Sequence, residues 1–168
     1  MMDNVTRRVR LWRDVEPFYP DQKHGLPKTS ESRGTEAVLN ALILATRDAD
    51  TGVLSVDGQR AFANVWALQM QTGDLQGAWS WLNFGLEPWE ASASPFFGAA
   101  LAAIAVGTAS EGYASTESAA PKVELLRAYV QKEVESQSLF NRLMALWASG
   151  KLPGLLSQAQ REAIVTAA

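Results

Sequence analysis

The residues best suited to chemistry in this sequence are four carboxylates: Glu36, Asp50, Glu87 and Glu90. Glu87 and Glu90 enclose a proline and a tryptophan in a segment rich in aromatic side chains. Two acids beside indoles are typical of a carbohydrate site, where carboxylates carry out hydrolysis and rings stack on the sugar. The alternative, which we favour, is that Glu90 lies before a predicted helix start, where negative charge is stabilising.

The other two carboxylates have structural interpretations as well. Glu36 falls in the first turn of a predicted helix, where the helix dipole favours an acid. It becomes a candidate site residue if the helix N-termini surround the mouth of a cavity. Asp50 lies in Asp48–Gly52, a predicted turn between two helices, where we expect a solvated side chain.

Tryptophan is the second feature of the sequence, because four of the six tryptophans fall between residues 66 and 89. They could line a pocket for an apolar or sugar ligand. More often such a cluster forms core at a junction between helices, and both roles stay open. The four residues are Trp66, Trp79, Trp81 and Trp89.

Composition excludes several classes of site. The chain has no cysteine, which excludes disulfides, thiol catalysis and Cys-containing zinc sites. The single histidine, His24, excludes a two-His metal site built from one chain. No phosphate-binding glycine loop precedes a helix, and a net charge of −3 gives no indication of nucleic-acid binding. We therefore predict no metal and no cofactor.

Two regions are expected along the 168 residues. Residues 1–33 contain three of the seven prolines and a dense set of charges, and they predict an irregular N-terminal arm that packs aromatic side chains onto the domain. These aromatic residues are Trp12, Phe18 and Tyr19. The longest uncharged apolar stretch, 95–108, is shorter than the ~20 residues that span a membrane. It predicts a buried core helix, and by default we expect a soluble, cytoplasmic protein.

From residue 34 to 168 the apolar spacing is helical almost throughout. Ser55 is a candidate N-cap, Ser94-Pro95 indicates a helix start, and Ser157 with Gln160 forms a candidate capping box. Gly52 is a candidate left-handed turn residue. The predicted helices cover 35–48, 56–72, 75–84, 94–108, 121–135, 138–149 and a last helix after Ser157.

The apolar helices also repeat. AVLNALILATRDAD at 37–50 aligns without gaps with AALAAIAVGTASEG at 99–112, and LFNRLMALWASG at 139–150 is a looser third copy. Each copy is followed by a loop and a second helix. Three such units predict an all-α domain of stacked helical hairpins, as in solenoids or closed α/α toroids.

The segment QTGDLQGAW at 71–79 resembles the QW motif of the squalene-cyclase family. With SRGTEAVLNALILA at 32–45 and SPFFGAALAAIAVGTA at 94–109, it resembles the superfamily of squalene cyclases and protein prenyltransferases, especially cyclase-like proteins of unassigned activity. The resemblance implies a partial α/α toroid. It also implies that Gln71, Gly77 and Trp79 tie one hairpin to the next, with the glutamine amide capping a helix end beneath the indole.

Departures from the family pattern shape the functional prediction. The acid-rich DxDD motif of the cyclases is missing, since its nearest counterpart is Asp48-Ala49-Asp50-Thr51, and no cysteine can hold the zinc of prenyltransferases. We therefore expect a non-catalytic cyclase-like domain with a binding or assembly role. The alternative is an enzyme with an aromatic-lined pocket that acts on an isoprenoid or a carbohydrate.

The partial toroid that the resemblance implies also predicts a partner. Three hairpins would leave the apolar edge of the inner helices uncovered, and such edges mark interfaces. The covering partner would be a second copy in a homo-oligomer or the remainder of a longer chain. An apolar or sugar ligand is expected in either case, and nucleic acid is not.

Overall fold

The computed structural model describes residues 2–17, 29–110 and 112–168. Within these ranges the chain is all-α and contains no β-strand, which confirms the predicted fold class. The α-helices, in chain order, are α1 (Met2–Arg10), α2 (Thr29–Asp48), α3 (Val56–Leu68), α4 (Ser94–Thr108), α5 (Ala120–Glu133), α6 (Leu139–Lys151) and α7 (Gln158–Ala167).

Six of these helices form three packed pairs, α2 with α3, α4 with α5 and α6 with α7. The first helices of the pairs form a row in which α4 lies between α2 and α6. The ring centres of Phe97 and Phe140 are 5.9 Å apart near the start of α4 and α6. At the other end of both helices, Gly107 lies against Lys151, so α4 and α6 run in the same direction. The three repeated apolar segments begin in α2, α4 and α6.

Helix α4 forms the centre of the domain. Every residue from Gly98 to Val106 is buried, and small side chains let the neighbouring elements come close. An added Cβ would lie 2.2 Å from the Trp81 indole at Gly98 and 2.3 Å from the Lys151 carbonyl oxygen at Gly107. The prediction of a buried core helix at 95–108 is confirmed. In the described part of the chain, no helix is both long enough and apolar enough to cross a membrane.

Most predicted helix ends agree with the structure. The Ser55 hydroxyl accepts a hydrogen bond from the Gly58 amide at 3.1 Å, and Ser157 and Gln160 form a reciprocal capping box. Gly52 has a φ of 69°, in the left-handed region. Ser94 differs from the expectation, because the cap position is Ala93 and the Ser94 hydroxyl instead accepts from the Ala91 amide.

The predicted helix over 75–84 is wrong. Residues 69–93 contain no helix, and the chain after α3 turns back on itself. The Met70 amide donates to the Ala78 carbonyl at 2.9 Å, and the Gly77 amide donates to the Met70 carbonyl at 2.8 Å. Gly73 and Gly77 have positive φ angles, which an α-helix cannot contain. The helix predicted over 56–72 likewise ends at Leu68, before this turn.

The N-terminal arm is not irregular throughout, because residues 2–10 form α1, which packs on α3. Arg8 pairs with Glu36 on α2, and Arg10 pairs with Asp57 at 2.8 Å on α3. These long-range pairs hold α1 in place. Helix α2 begins at Thr29, inside the predicted arm. Trp12 is partly buried beneath the Arg33 guanidinium, whereas Phe18, Tyr19 and His24 lie outside the described residues.

Candidate functional site

A cavity of about 260 Å³ lies along one face of α2, and we call it the α2 groove. Its walls include the apolar side chains of Leu39 and Ile43 on α2 and of Leu82 from the segment after Trp81. Residues three or four apart share one helix face, which explains why α2 presents these positions together. The Leu82 amide donates to the Thr35 hydroxyl at 3.0 Å and holds the opposite wall in place.

Two of the four predicted acids, Glu36 and Glu90, line the α2 groove. Glu36 is only 7% exposed, and its carboxylate accepts hydrogen bonds from Nε and Nη2 of Arg8. This hydrogen bonding, together with the charge of Glu36, raises the pKa of Arg8 above its usual value, against the opposing effect of burial. Glu36 is therefore a charge-compensated residue that joins α1 to α2.

Glu90 enters the groove from the other side and is half-buried. Its backbone is fixed by a short bridge, in which its amide donates to the Leu86 carbonyl at 2.8 Å and its carbonyl accepts from the Leu86 amide at 3.0 Å. Among the described residues, none forms a hydrogen bond or ion pair with its carboxylate. Glu90 therefore contributes an uncompensated negative charge to the groove.

Asn40 is a groove residue that the sequence reasoning missed. It lies one turn after Glu36 on α2, is 6% exposed and lines the same cavity. Its amide nitrogen is buried and has no hydrogen-bond partner in the ranges that the structure describes. Leaving such a donor unsatisfied costs about 1–3 kcal/mol. The sequence could have indicated this residue, because Asn40 is a polar residue at a position where the apolar spacing of α2 predicts burial.

The remaining predicted acids lie apart from the groove. Glu87 is exposed in the connection before α4, and Asp50 is exposed in a short 3-10 turn over Ala49–Thr51. Neither lines the α2 groove. The two carboxylates expected to act together on a sugar, Glu87 and Glu90, therefore do not share this cavity.

The four tryptophans occupy three different environments. Trp79 is fully buried, and Trp81 is 5% exposed with its indole nitrogen donating to the Trp89 carbonyl at 2.9 Å. Trp89 itself is 58% exposed. Trp66 alone among the four lines one of the described cavities, which has a volume of about 520 Å³. The four indoles therefore do not form one pocket.

The cavity beside Trp66 lies between α3 and the connection that leads to α5. The Trp66 indole nitrogen donates to the Tyr113 hydroxyl at 2.8 Å, and the Tyr113 ring lies 4.5 Å from that of Phe62. Burial raises the pKa of Tyr113, and the hydrogen bond from Trp66 partly opposes this shift. These contacts make Trp66 and Tyr113 a rigid wall of the cavity, whose lining also includes Lys122.

The QW-like segment joins elements, although Gln71 has a minor role. The Gln71 amide donates to the Gln69 carbonyl at 2.9 Å, at the end of α3. The side chain that spans two elements is that of Gln69, which is buried and donates to the carbonyls of Gly77 and Lys122 at 3.1 and 2.8 Å. In the sequence, Gln69 occupies a position at which the apolar spacing of α3 predicts a buried side chain. This spacing could have indicated that Gln69 is buried.

In the described part of the chain, no three acidic or histidine side chains are grouped as a metal site would require. No family model matches this sequence, and neither does any curated protein or solved structure. The resemblance to the squalene-cyclase family and the toroid that it implies therefore stay predictions.

Proposed function

We propose that this chain is a non-catalytic, cyclase-like α/α repeat domain that assembles with a second copy through the uncovered face of α6. A stripe of large apolar side chains supports this proposal. Leu139, Leu143 and Trp147 follow one another at intervals of four residues and are 37%, 40% and 57% exposed. Phe140 borders the stripe and is 37% exposed. Contiguous apolar surfaces of this kind mark interaction sites.

The charge pattern of α6 favours an apolar partner. Arg142 is the one charged residue between Leu139 and Trp147 in the sequence. Arg142 faces another direction, where it lines a cavity with Glu135 and residues of α7. Lys151 follows one turn after Trp147. In an antiparallel pair of α6 helices, the two Lys151 side chains would lie at opposite ends and would not repel each other.

The row of helices indicates what covers the stripe. Helix α4 has neighbours in this row on two sides, α2 and α6, whereas α6 has only α4 within the described chain. The next member of the row would be another apolar helix. A second α6 supplies such a helix, because a two-fold interface brings the same face of both copies together. In the antiparallel pair, each copy covers the stripe of the other, and the second α6 runs opposite to the direction that α4 and α6 share.

We expect a weak, concentration-dependent dimer. The stripe from Leu139 to Trp147 rises only about 12 Å along the helix, and small interfaces generally give transient complexes. Sedimentation equilibrium over a wide concentration range would measure the association. Wild-type protein should shift from monomer to dimer, and Leu143→Glu should remain monomeric because dimerisation would bury two unpaired carboxylates.

The matched control is Val165→Glu, which places the same charge at a position on α7 that is 63% exposed. This variant should dimerise like the wild type. Circular dichroism should show that both variants keep the wild-type helix content. A wild-type protein that stays monomeric throughout, or equal dimerisation of Leu143→Glu, would overturn the proposal.

The second candidate is an enzyme that acts on an isoprenoid or a carbohydrate. The presence of Glu36 and Glu90 at one groove favours it. Hydrolysis of a glycoside needs two carboxyl groups in complementary roles, however, and Glu36 is paired with Arg8. Glu90 is then the one uncompensated carboxylate at the groove, which supports the non-catalytic proposal. Turnover that disappears in Glu90→Gln, with thermal stability unchanged, would favour the enzyme instead.

A further inference from the structure

We infer that the cavity beside Trp66 binds a small organic carboxylate whose apolar body lies against α3. This cavity is a different surface from the α6 stripe, and the inference does not depend on dimerisation. It combines three observations: a volume suited to a small molecule, a lysine as the one charged side chain among the described residues of the lining, and a tyrosine hydroxyl whose hydrogen has no acceptor in the described chain.

The space in the cavity comes from small side chains on one face of α3. Gln59, Ala63, Trp66 and Ala67 line it, and their spacing places them on the same side of the helix. Ala63 and Ala67 are exposed, and their methyl groups leave room that longer side chains would fill. Val53, which is 67% exposed, adds an apolar wall. The volume of about 520 Å³ falls within the roughly 300–1,000 Å³ that is usual for small-molecule sites.

Lys122 determines the charge that a ligand meets in this cavity. The lysine is half-buried and forms no hydrogen bond or ion pair through its side chain within the part of the chain that the structure describes. Its acidic neighbours in the sequence do not neutralise it, because Glu124 pairs with Arg127, and Glu117 is exposed and does not line the cavity. An ammonium group beside apolar walls attracts an anion and repels a cation.

Tyr113 provides a second hydrogen-bond donor. Its oxygen accepts the hydrogen bond from the Trp66 indole nitrogen at 2.8 Å, and both residues line the cavity. The hydroxyl hydrogen itself is therefore available to a ligand. Burial raises the pKa of Tyr113, against the opposing effect of the bond from Trp66, so the hydroxyl keeps its proton at neutral pH. A carboxylate has one negative charge and two acceptor oxygens, which match one ammonium group and one hydroxyl donor.

The test is calorimetric titration of the full chain with 3-phenylpropanoate, 3-phenylpropanamide and 3-phenylpropylammonium, which share a phenylethyl group and differ in charge. The carboxylate should bind most tightly and the ammonium ion least tightly. Acetate has the same charge without the apolar body, and it should bind at least about tenfold more weakly than 3-phenylpropanoate because little apolar surface is buried. Equal binding of the three phenyl probes, or no binding of 3-phenylpropanoate, would overturn the inference.

Lys122→Gln should weaken the binding of 3-phenylpropanoate by about tenfold, since a charge-assisted hydrogen bond is lost. Binding of the neutral amide should be unchanged in this variant. Lys132→Gln is the matched control, because it removes the same charge from the same helix at a side chain that is 66% exposed and outside the cavity. It should bind 3-phenylpropanoate like the wild type. An unchanged affinity in Lys122→Gln would contradict the role of this lysine and overturn the inference.

Two further measurements locate the ligand. Ala63→Leu should weaken the binding of the carboxylate and of the amide alike because it fills the cavity, whereas Ala128→Leu, at an exposed alanine of α5 outside the cavity, should not. In nuclear magnetic resonance spectra, 3-phenylpropanoate should shift the indole N–H signal of Trp66 and leave that of Trp147 on the α6 stripe in place. Equal affinities in the two alanine variants, or a shift of Trp147 without one of Trp66, would show that the ligand binds elsewhere.

Discussion

The indole nitrogen of Trp79 donates a hydrogen bond of 2.7 Å to the backbone carbonyl of Val65 in α3. Trp79 is fully buried, and its ring centre lies 6.0 Å from that of Trp66. One side chain therefore fastens the turn after α3 to the helix that precedes it. The bond joins the turn to α3, the helix just before it, and the tie between hairpins that the QW-like segment predicts stays a prediction.

Replacing Trp79 by alanine should strongly destabilise the domain. The change removes a fully buried ring and its hydrogen bond and leaves a large cavity, which typically costs about 3–5 kcal/mol. Chemical denaturation followed by circular dichroism would measure the loss. Trp89→Ala is the control, since that side chain is 58% exposed and the carbonyl that Trp81 uses belongs to the backbone. It should change the free energy of unfolding by no more than about 0.5 kcal/mol, and equal losses in both variants would contradict the assignment.

Gly77→Ala should cost more stability than Gly73→Ala, although both glycines have positive φ, 94° and 79°. Both changes introduce backbone strain of about 1–2 kcal/mol. At Gly77 the new Cβ would also lie 2.1 Å from the Leu125 carbonyl oxygen on α5, whereas at Gly73 it would meet no atom within 4 Å. The difference between the two unfolding free energies therefore isolates the close approach of the turn to α5. Equal values would show that α5 moves aside without cost.

Asp48 should make the domain sensitive to acid. Burial raises the pKa of its carboxyl, but hydrogen bonds from Ser55 and Arg47 outweigh this effect and lower the pKa below its usual value. A lowered pKa in the folded state means that the stabilisation is present above pH ~4, near the pKa of the unfolded chain, and is lost as the pH falls through the folded-state pKa.

Chemical denaturation at several pH values between neutral and strongly acidic conditions would test this dependence. In Asp48→Asn, stability should fall less steeply on acidification than in the wild type, because the titrating group is gone. Asp50→Asn is the control, since it removes an exposed carboxylate two residues away. A wild-type profile as flat as that of Asp48→Asn would refute the role of Asp48.

Local contacts explain which features of the fold could be predicted. The caps at Ser55 and Ser157 close hydrogen bonds with residues only three positions away, and Gly52 adopts its left-handed conformation within a short turn. Such contacts depend on neighbouring residues alone. The apolar spacing of α2, α4 and α6 was equally readable, because one helix face must be buried.

The helix predicted over 75–84 was wrong because the contacts that decide the structure of this segment are distant in the sequence. Its tryptophans have a spacing that a helix could use, yet their indole nitrogens bond carbonyls of Val65 and Trp89, fourteen and eight residues away. The α1 helix was missed in a similar way, since its contacts with Glu36 and Asp57 are distant in sequence. Neither set of partners appears in a local pattern.

By itself, the sequence determined the all-α class, most helix ends and the absence of cysteine-based chemistry, because each depends on residue types and short spacings. Tertiary structure alone decided that Glu36 is neutralised by Arg8 and that Glu90 reaches the same groove. It also decided which apolar face of α6 stays uncovered. These outcomes depend on how helices distant in the sequence pack together, and packing geometry is a property of the whole fold.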